Sequence, residues 1–538
     1  MTAPSKTAFA LVAILVTSAV LAGCLGPGDP GEKPVDPGPD AKGRFHPEWW
    51  LHAIPMEGHS HTDVEQHRNL STPNFQLLGW DPLLTEYKGK GSAGGYFCGD
   101  VASTKEGRRF AVVHSFTTDV AFVIADVTDP TKPMTVGEYI LENAHVYDVA
   151  LTTDGLHVIV GTDPTDTGPD ESPTTKPILE AVEGDATKAL AITFKDACTG
   201  ETRRVQGPEQ KAPFASGALL VGIKDPKNPV FEDFRPLPIL GPHSVSTAEV
   251  GGKQLAIASV TNLVHSATYF HFLEVQDTPL GPKLVMLSTY QAPPQPAGSL
   301  PVTNGHVDAS IQKHPITNKV YAYLANWDAG VVIVDITDPR TPTYVSSWTD
   351  FKGGLGFFAG DDAGAIHEAL PIEGLWDGKH YVIAGQELGG HPKGRPTGWV
   401  NIIDTTDPTK PTLAGRWTLP FDVSWKGFLM FSPHYVEIVN RTLFVTLYHG
   451  GVWAVDLSTP EKIAAPPSIG VFIPDQVSPR PPKAAGGMDW TPIVLDVLGF
   501  PDGTLAVFDG TSGVYMIRFD DTDPAPSPPV WPGSEVKA

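Results

Sequence analysis

Five histidines head strand-like segments that recur along the chain: His145 in AHVYDVALTTDG, His243 in GPHSVSTAEV, His306 in GHVDASIQKH, His367 in IHEALPIEG and His434 in PHYVEIVNRT. Neutral imidazole is a ligand for Zn, Cu and Fe, and three or four such groups complete a site. Asp148, Asp308, Glu368 and Glu437 follow within three residues of a head histidine. A carboxylate there would orient an imidazole from behind or add an oxygen ligand. If the fold gathers these heads, the product is a metal centre suited to oxidation or hydrolysis. The same imidazoles have an architectural use, tying each repeat to its neighbour, and duplication alone would copy them. The residues leave both uses open.

Two further groups have ligand-like composition. Asp163, Asp166, Asp170 and Glu171 crowd a polar segment, DPTDTGPDESPTTKP, whose oxygens suit Ca²⁺, although their spacing departs from an EF-hand loop. The segment EGHSHTDVEQH carries His59, His61 and His67 with Asp63 and Glu65; an alternating H-x-H puts two rings on one side of an extended chain. No nucleophile elbow, phosphate loop or zincin helix motif occurs.

The elements that must position these residues are repeats. VVIVDITDPRTP ends at Pro342, FVIADVTDPTKP at Pro133, LLVGIKDPKNP at Pro229, VNIIDTTDPTKP at Pro411 and VWAVDLSTPEK at Lys462, with a frayed MIRFDDTDPAP ending at Pro526. Four or five consecutive β-branched and apolar residues without polar alternation predict a strand buried on both faces. The following Asp-Pro sets a tight turn, because proline presets φ and aspartate bonds its own backbone. A polar-edged strand then follows, as in TYVSSW. Upstream of each pair lies a histidine-headed hairpin. Four strands recurring on this length scale predict propeller blades. First strands beginning near Gly95, Ala144, Pro242, Gly305, Ile366, Pro433 and Pro492 count seven of them.

The last unit lacks a fourth strand, and the chain carries a spare one, NFQLLGWDPL, at Asn74 to Leu83. The expectation is therefore an all-β, seven-bladed β-propeller over residues 74–524, closed by this N-terminal strand pairing with the last blade, which removes an open sheet edge. An insertion at about 162–217 interrupts blade two. The stretch SPHYVEIVNRTLFVTLYHGGVWAVDLS, Ser432 to Ser458, resembles the LVIVD repeat family of extracytoplasmic β-propellers. That resemblance implies the fold and the compartment, and no particular activity.

Composition agrees with a turn-rich β protein: 54 glycines and 53 prolines in 538 residues. The net charge of −23 argues against a nucleic-acid partner, which wants a basic surface. Lys6 precedes an apolar run, Ala8 to Leu21, too short to span a bilayer permanently, and the run ends in Leu21-Ala22-Gly23-Cys24. That ending resembles a prokaryotic lipobox, which implies cleavage after residue 23, lipidation of Cys24 and a membrane-anchored cell-surface protein. Residues 24–43 read as a Pro/Gly-rich tether, 44–73 as a His-rich segment and 525–538 as a disordered tail. Outside the cytoplasm disulfides persist, so Cys98 and Cys198, the remaining thiols, are expected to pair.

Two functions fit these features. One is a membrane-tethered scaffold that binds a protein, glycan or small molecule. The other is a metal-dependent oxidase or hydrolase holding Cu, Zn, Fe or Ca in its channel. The anchor is common to both and is directly testable: Cys24→Ala is expected to move the protein from the membrane fraction to the soluble one, and membrane retention of that variant would rule the anchor out.

Overall fold

The structure, a computed structural model, describes residues 71–72, 74–85, 91–92, 96–115, 120–141, 144–164, 191–195, 202–206, 217–237, 242–262, 267–296, 299, 308–353, 364–388, 398–419, 431–474, 493–510 and 512–521. The expected signal peptide, tether, His-rich segment and tail lie outside these residues, as does the acidic segment beyond Pro164.

Seven four-stranded antiparallel sheets follow one another along the chain. Their first strands are Tyr96–Ser103, Ala144–Leu151, Ser244–Val250, Ala309–Lys313, Ile366–Pro371, Val436–Val439 and Val494–Gly499. The protein is a seven-bladed β-propeller, and these strands are taken as the inner strands of blades one to seven. The insertion in blade two contains a hairpin of its own, Ala191–Lys195 paired with Thr202–Gln206, inside a region read from sequence only as an interruption. One short helix, Pro460–Ala464, is capped by Thr459. No helix among the described residues is long and apolar enough to cross a membrane.

The uninterrupted apolar strands are explained by where the core sits. Each of seven core clusters lies between two neighbouring blades. In VVIVD, Val332 and Val334 pack toward blade three, whereas Val331 and Ile333 pack toward blade five. Side chains alternate across a strand, so a blade covered on both faces needs apolar residues at every position. The Asp that ends the strand folds the turn: Asp335 Oδ1 accepts from Thr337 N at 3.0 Å, and Asp126, Asp404 and Asp456 repeat the bond. The second Asp does the same one turn later, as Asp338 with Arg340 N at 3.1 Å.

Ring closure follows the sequence expectation. Phe75–Asp81 pairs antiparallel with the last strand, Gly513–Phe519, from Phe75 opposite Phe519 to Asp81 opposite Val514. The same segment also reaches both neighbouring blades. Asn74 Nδ2 donates to Ile469 O of blade six at 2.9 Å, and Thr135 N of blade one donates to Asp81 Oδ2 at 2.9 Å. Phe75 packs against Phe444, Phe472 and Phe519, with ring centroids 6.2, 6.0 and 4.8 Å away.

One strand thus joins blades six, seven and one. Phe75→Ala should lower unfolding stability by about 3–5 kcal/mol, the range for emptying a buried phenylalanine site. A urea midpoint shifted by less than about 1 kcal/mol would show that closure does not depend on this contact.

Candidate functional site at the channel

The inner-strand regions of six of the seven blades each bring one carboxylate to a common ring. Asp100, Asp148, Asp308, Glu368, Glu437 and Asp496 come from blades one, two, four, five, six and seven. Most use one oxygen on their own strand and the other on the next blade. Asp100 accepts from Val101 N at 2.7 Å and from Leu151 N of blade two at 2.7 Å. Asp148 accepts from Val149 N at 2.8 Å and Val245 N of blade three at 2.9 Å. Glu368 accepts from Val436 N of blade six at 2.5 Å, and Glu437 from Gly499 N of blade seven at 2.8 Å. Asp496 returns to blade one through Gly99 N at 3.4 Å. Blade three carries Ser246 at this level; there Ser244 Oγ donates instead to Asp308 Oδ1 at 3.0 Å. Asp308 N donates to His367 O of blade five at 3.1 Å, which completes the circuit.

Burying carboxylates disfavours their charged form, and each senses the others. Burial pushes Asp100 up to about 7, against the amides of Leu151 and Val101 that pull it down. Burial likewise raises Asp308 to about 6. Asp148, Glu368 and Asp496 are held well above the ordinary carboxylate range by burial, with neighbouring ring carboxylates adding to the effect, and Glu437 is raised for the same reason.

Tyr435 of blade six lies near this ring, where its side chain pulls the Asp308 carboxylate and the Cys98 thiol down against burial. Burial raises the Tyr435 phenol and the Cys98 thiol well above their usual values, so both stay protonated. Cys98 is a free thiol, and no disulfide occurs among the described residues. The expected partner, Cys198, lies outside them. Cys98 is buried on the inner strand of blade one, Tyr96–Ser103.

At the end of the channel marked by the strand heads, blades five and six build a second cluster. The rings of His367 and His434 are 4.5 Å apart, centroid to centroid, and Tyr435 stands edge-on to both at 5.2 and 4.7 Å. His434 Nδ1 lies 2.7 Å from Leu495 O of blade seven. Donation to this carbonyl places a proton on Nδ1. Glu387 completes the cluster. It accepts a short hydrogen bond from the Tyr448 hydroxyl, and its other oxygen lies 3.9 Å from His367 Nε2. Burial pushes Glu387 up to about 7, against the Tyr448 bond.

Backbone strain helps place these rings. Trp327 and Tyr448 occupy corresponding loops of blades four and six with φ of 45° and 49°. A left-handed conformation is unfavourable for a bulky side chain. In each case the residue bridges to the next blade's inner-strand region, at Ile366 and Val494 respectively. That docks Trp327 6.4 Å from His367, and Tyr448 lies 4.9 Å from His434 on its own blade.

The head histidines differ in their sequence distance from the ring position. Counted from the ring position of their own blade, His145, His243 and His434 stand three residues before it, His306 two and His367 one. His243 lies apart from the pair, 5.2 Å from the Tyr147 ring. Only the backbone of His145 is described, and His306 lies outside the described residues. No group of three or more His, Cys, Asp or Glu side chains among the described residues is arranged to hold a metal ion. The four carboxylates expected to support the histidines all belong to the hydrogen-bonded ring. Sequence reasoning did not reach Asp100, Asp496, Tyr435, Glu387 or Tyr448. For the first two a signal existed: an acid followed by a small or β-branched apolar residue recurs in every inner strand but that of blade three.

Comparison with known proteins bears on the fold. The LVIVD repeat model matches residues 320–350, which hold VVIVD and its turn. No curated protein sequence matches the chain. Among solved structures, a crystal structure of a Lactobacillus plantarum protein is 12% identical with a TM-score of 0.42, covering 73% of this chain and 85% of that one. The β-propeller domain of Cps50 (Swd1) from Myceliophteria thermophila is 10% identical with a TM-score of 0.38, covering 79% of this chain and 96% of that one.

The raised carboxylates give a pH dependence of defined sign. Each acid binds its proton more tightly folded than unfolded, so ionising it costs the folded state more. Glu387 contributes no penalty below about 4.5 and its full penalty above about 7; Asp100 acts between 3.8 and about 7. Unfolding stability should therefore fall from pH 5 to pH 8. Glu387→Gln, which keeps an acceptor for Tyr448, should flatten part of that fall and stabilise the protein at pH 8 by ~1–3 kcal/mol. A variant with an unchanged pH profile would show that Glu387 ionises as freely in the folded protein as in the unfolded chain.

Proposed function

We propose that the protein is a β-propeller binding scaffold, held outside the membrane by lipid on Cys24, that presents the head end of its channel at blades five and six to a ligand. The observation that carries this reading is the division of labour among the channel side chains. The ring carboxylates are committed to amides of adjacent blades, so what converges most densely in the channel holds the fold. The chemistry not repeated around the ring is His367, His434, Glu387 and Tyr448, clustered between two blades. A scaffold places such exceptions on loops and strand ends, where they can vary without disturbing the blades. The partner is a protein, glycan or small molecule, and the acidic surface disfavours nucleic acid.

A second reading has its own observation. The His434 ring lies 4.5 Å from the His367 ring, and His367 Nε2 lies 3.9 Å from Glu387 Oε2. Paired imidazoles with a nearby carboxylate suit Zn, Cu or Fe. A metal-dependent oxidase or hydrolase at this mouth would complete its ligand set from the other head histidines, His145, His243 and His306.

Elemental analysis separates the two. Untagged protein offered Cu, Zn, Fe and Ca and then desalted should retain only substoichiometric metal if the mouth is a ligand site. One tightly held equivalent, lost in the His367→Ala/His434→Ala double variant while the fold survives by circular dichroism, would replace the scaffold with the metalloenzyme.

A further inference from the structure

We propose that the opposite end of the channel is a binding site for a small organic cation, an ammonium group carried on an aliphatic body. This site is separate from the histidine mouth and does not rest on the reading given for it.

A cavity of about 500 Å³ opens among the far ends of the inner strands of blades three to six. From His367 to Ile372 the blade-five inner strand runs five residues, roughly 16 Å at the usual rise, so the two ends are well apart. The ring carboxylate Glu368 lies between them on this strand. The cavity is off-centre for a reason found in the sequence. Blade three has Ser246 where six blades carry Asp or Glu, and Ser246 lines the space that the shorter side chain leaves. The volume falls within the range of small-molecule sites.

The lining specifies the ligand. One wall is aliphatic, formed by Ile311, Leu370, Ile372 and Ile438. The polar groups are acceptors or neutral: Glu373, Glu437, Ser246, Ser310 and Asn440. Glu373 and Glu437 repel each other across the lining, as the upward push of Glu373 on the Glu437 carboxyl shows, after the larger effect of burial. The one cation present is already engaged. Arg441 Nη1 donates to Asp377 Oδ2 and to Ser458 O, each at 3.0 Å, while its guanidinium lies 5.5 Å over the Trp376 ring. Among the described residues, Ser246, Ser310 and Glu373 make no side-chain hydrogen bond to the protein. An ammonium supplies three donors and a positive charge to these acceptors, and its hydrocarbon body covers the isoleucine and leucine wall. An anion would meet two carboxylates. The strongly acidic chain further concentrates cations at its surface.

The test is calorimetric titration of the full-length protein at neutral pH with three probes of matched length: hexylammonium, 1-hexanol and hexanoate. Hexylammonium is expected to bind saturably, about tenfold or more tighter than 1-hexanol, with hexanoate not binding. Glu373→Gln, a change at an exposed side chain that leaves the ring untouched, should weaken hexylammonium about tenfold and leave 1-hexanol unchanged. Ile438→Trp, which fills the cavity, should abolish both. The His367→Ala/His434→Ala variant should bind as the wild type does, so failure here and failure at the histidine mouth read out separately. Equal binding of hexylammonium and hexanol, no binding of hexylammonium, or an unchanged affinity in Glu373→Gln would each overturn the proposal; because the last variant perturbs no buried group, the outcome stands even if Ile438→Trp does not fold.

Discussion

A carboxylate of one blade accepting the backbone N–H of the next is the interaction on which this propeller depends. Apart from isolated bridges such as Trp327 with Ile366 and Tyr448 with Val494, the blades share no strand pairing among the described residues. What lies between them is mostly apolar contact, which is strong but non-directional. Such contact tolerates sliding of one sheet over another. The bonds from Asp100 to Leu151, Asp148 to Val245, Glu368 to Val436, Glu437 to Gly499 and Asp496 to Gly99 remove that freedom. Each fixes the height of one inner strand against the next, and the closed circle makes the seven offsets mutually dependent. The closing strand does the same at the rim, where Asp81 and Asn74 anchor it to blades one and six.

This solution carries an electrostatic cost that the rest of the channel reflects. Six carboxylates at one level repel, and burial raises them further. Backbone amides offset part of it, since an N–H dipole favours the ionised acceptor. At Asp308 the Ser244 hydroxyl, 3.0 Å away, and the Tyr435 side chain offset a further part. The ring consequently prefers to hold protons near neutrality, and the fold is tuned to the acidic side of its working range. Replacing one acid by serine in blade three relieves the repulsion locally, and the freed volume becomes a cavity. One substitution in a repeated position thus converts a structural ring into a ring with an opening on one side.

Much of this architecture was legible in the chain. The apolar strands, the Asp-Pro turns and their repetition were enough to count seven blades, and the surplus strand at Asn74 was enough to close them. Those features depend on local residue types and on period. The channel was less legible because its chemistry depends on register. His367 and His434 look equivalent as strand heads, yet they stand one and three residues before the ring level, and bulges at the start of several inner strands set those offsets. A bulge moves a side chain to a new level without leaving a sign in composition. Glu387 and Tyr448 escaped for another reason. They lie just after the second strands of blades five and six, and the Tyr448 loop takes its direction from a left-handed residue and a bridge to the next blade.

The same distinction between repeated and unrepeated residues bears on where function resides. A residue that recurs in every blade is under the geometric demand of closing a ring, whatever the protein does. Asp148, Asp308, Glu368 and Glu437 were drawn into the sequence reading as supports for a metal because they follow histidines; their bonds show that they follow the blade period instead. His434 belongs to both classes, since its Nδ1 joins blade six to blade seven while its other face meets His367. A side chain with one nitrogen anchored in the scaffold is held in a fixed orientation at no further entropic cost, which is the property a binding site needs. The structural and functional uses of these histidines are therefore compatible.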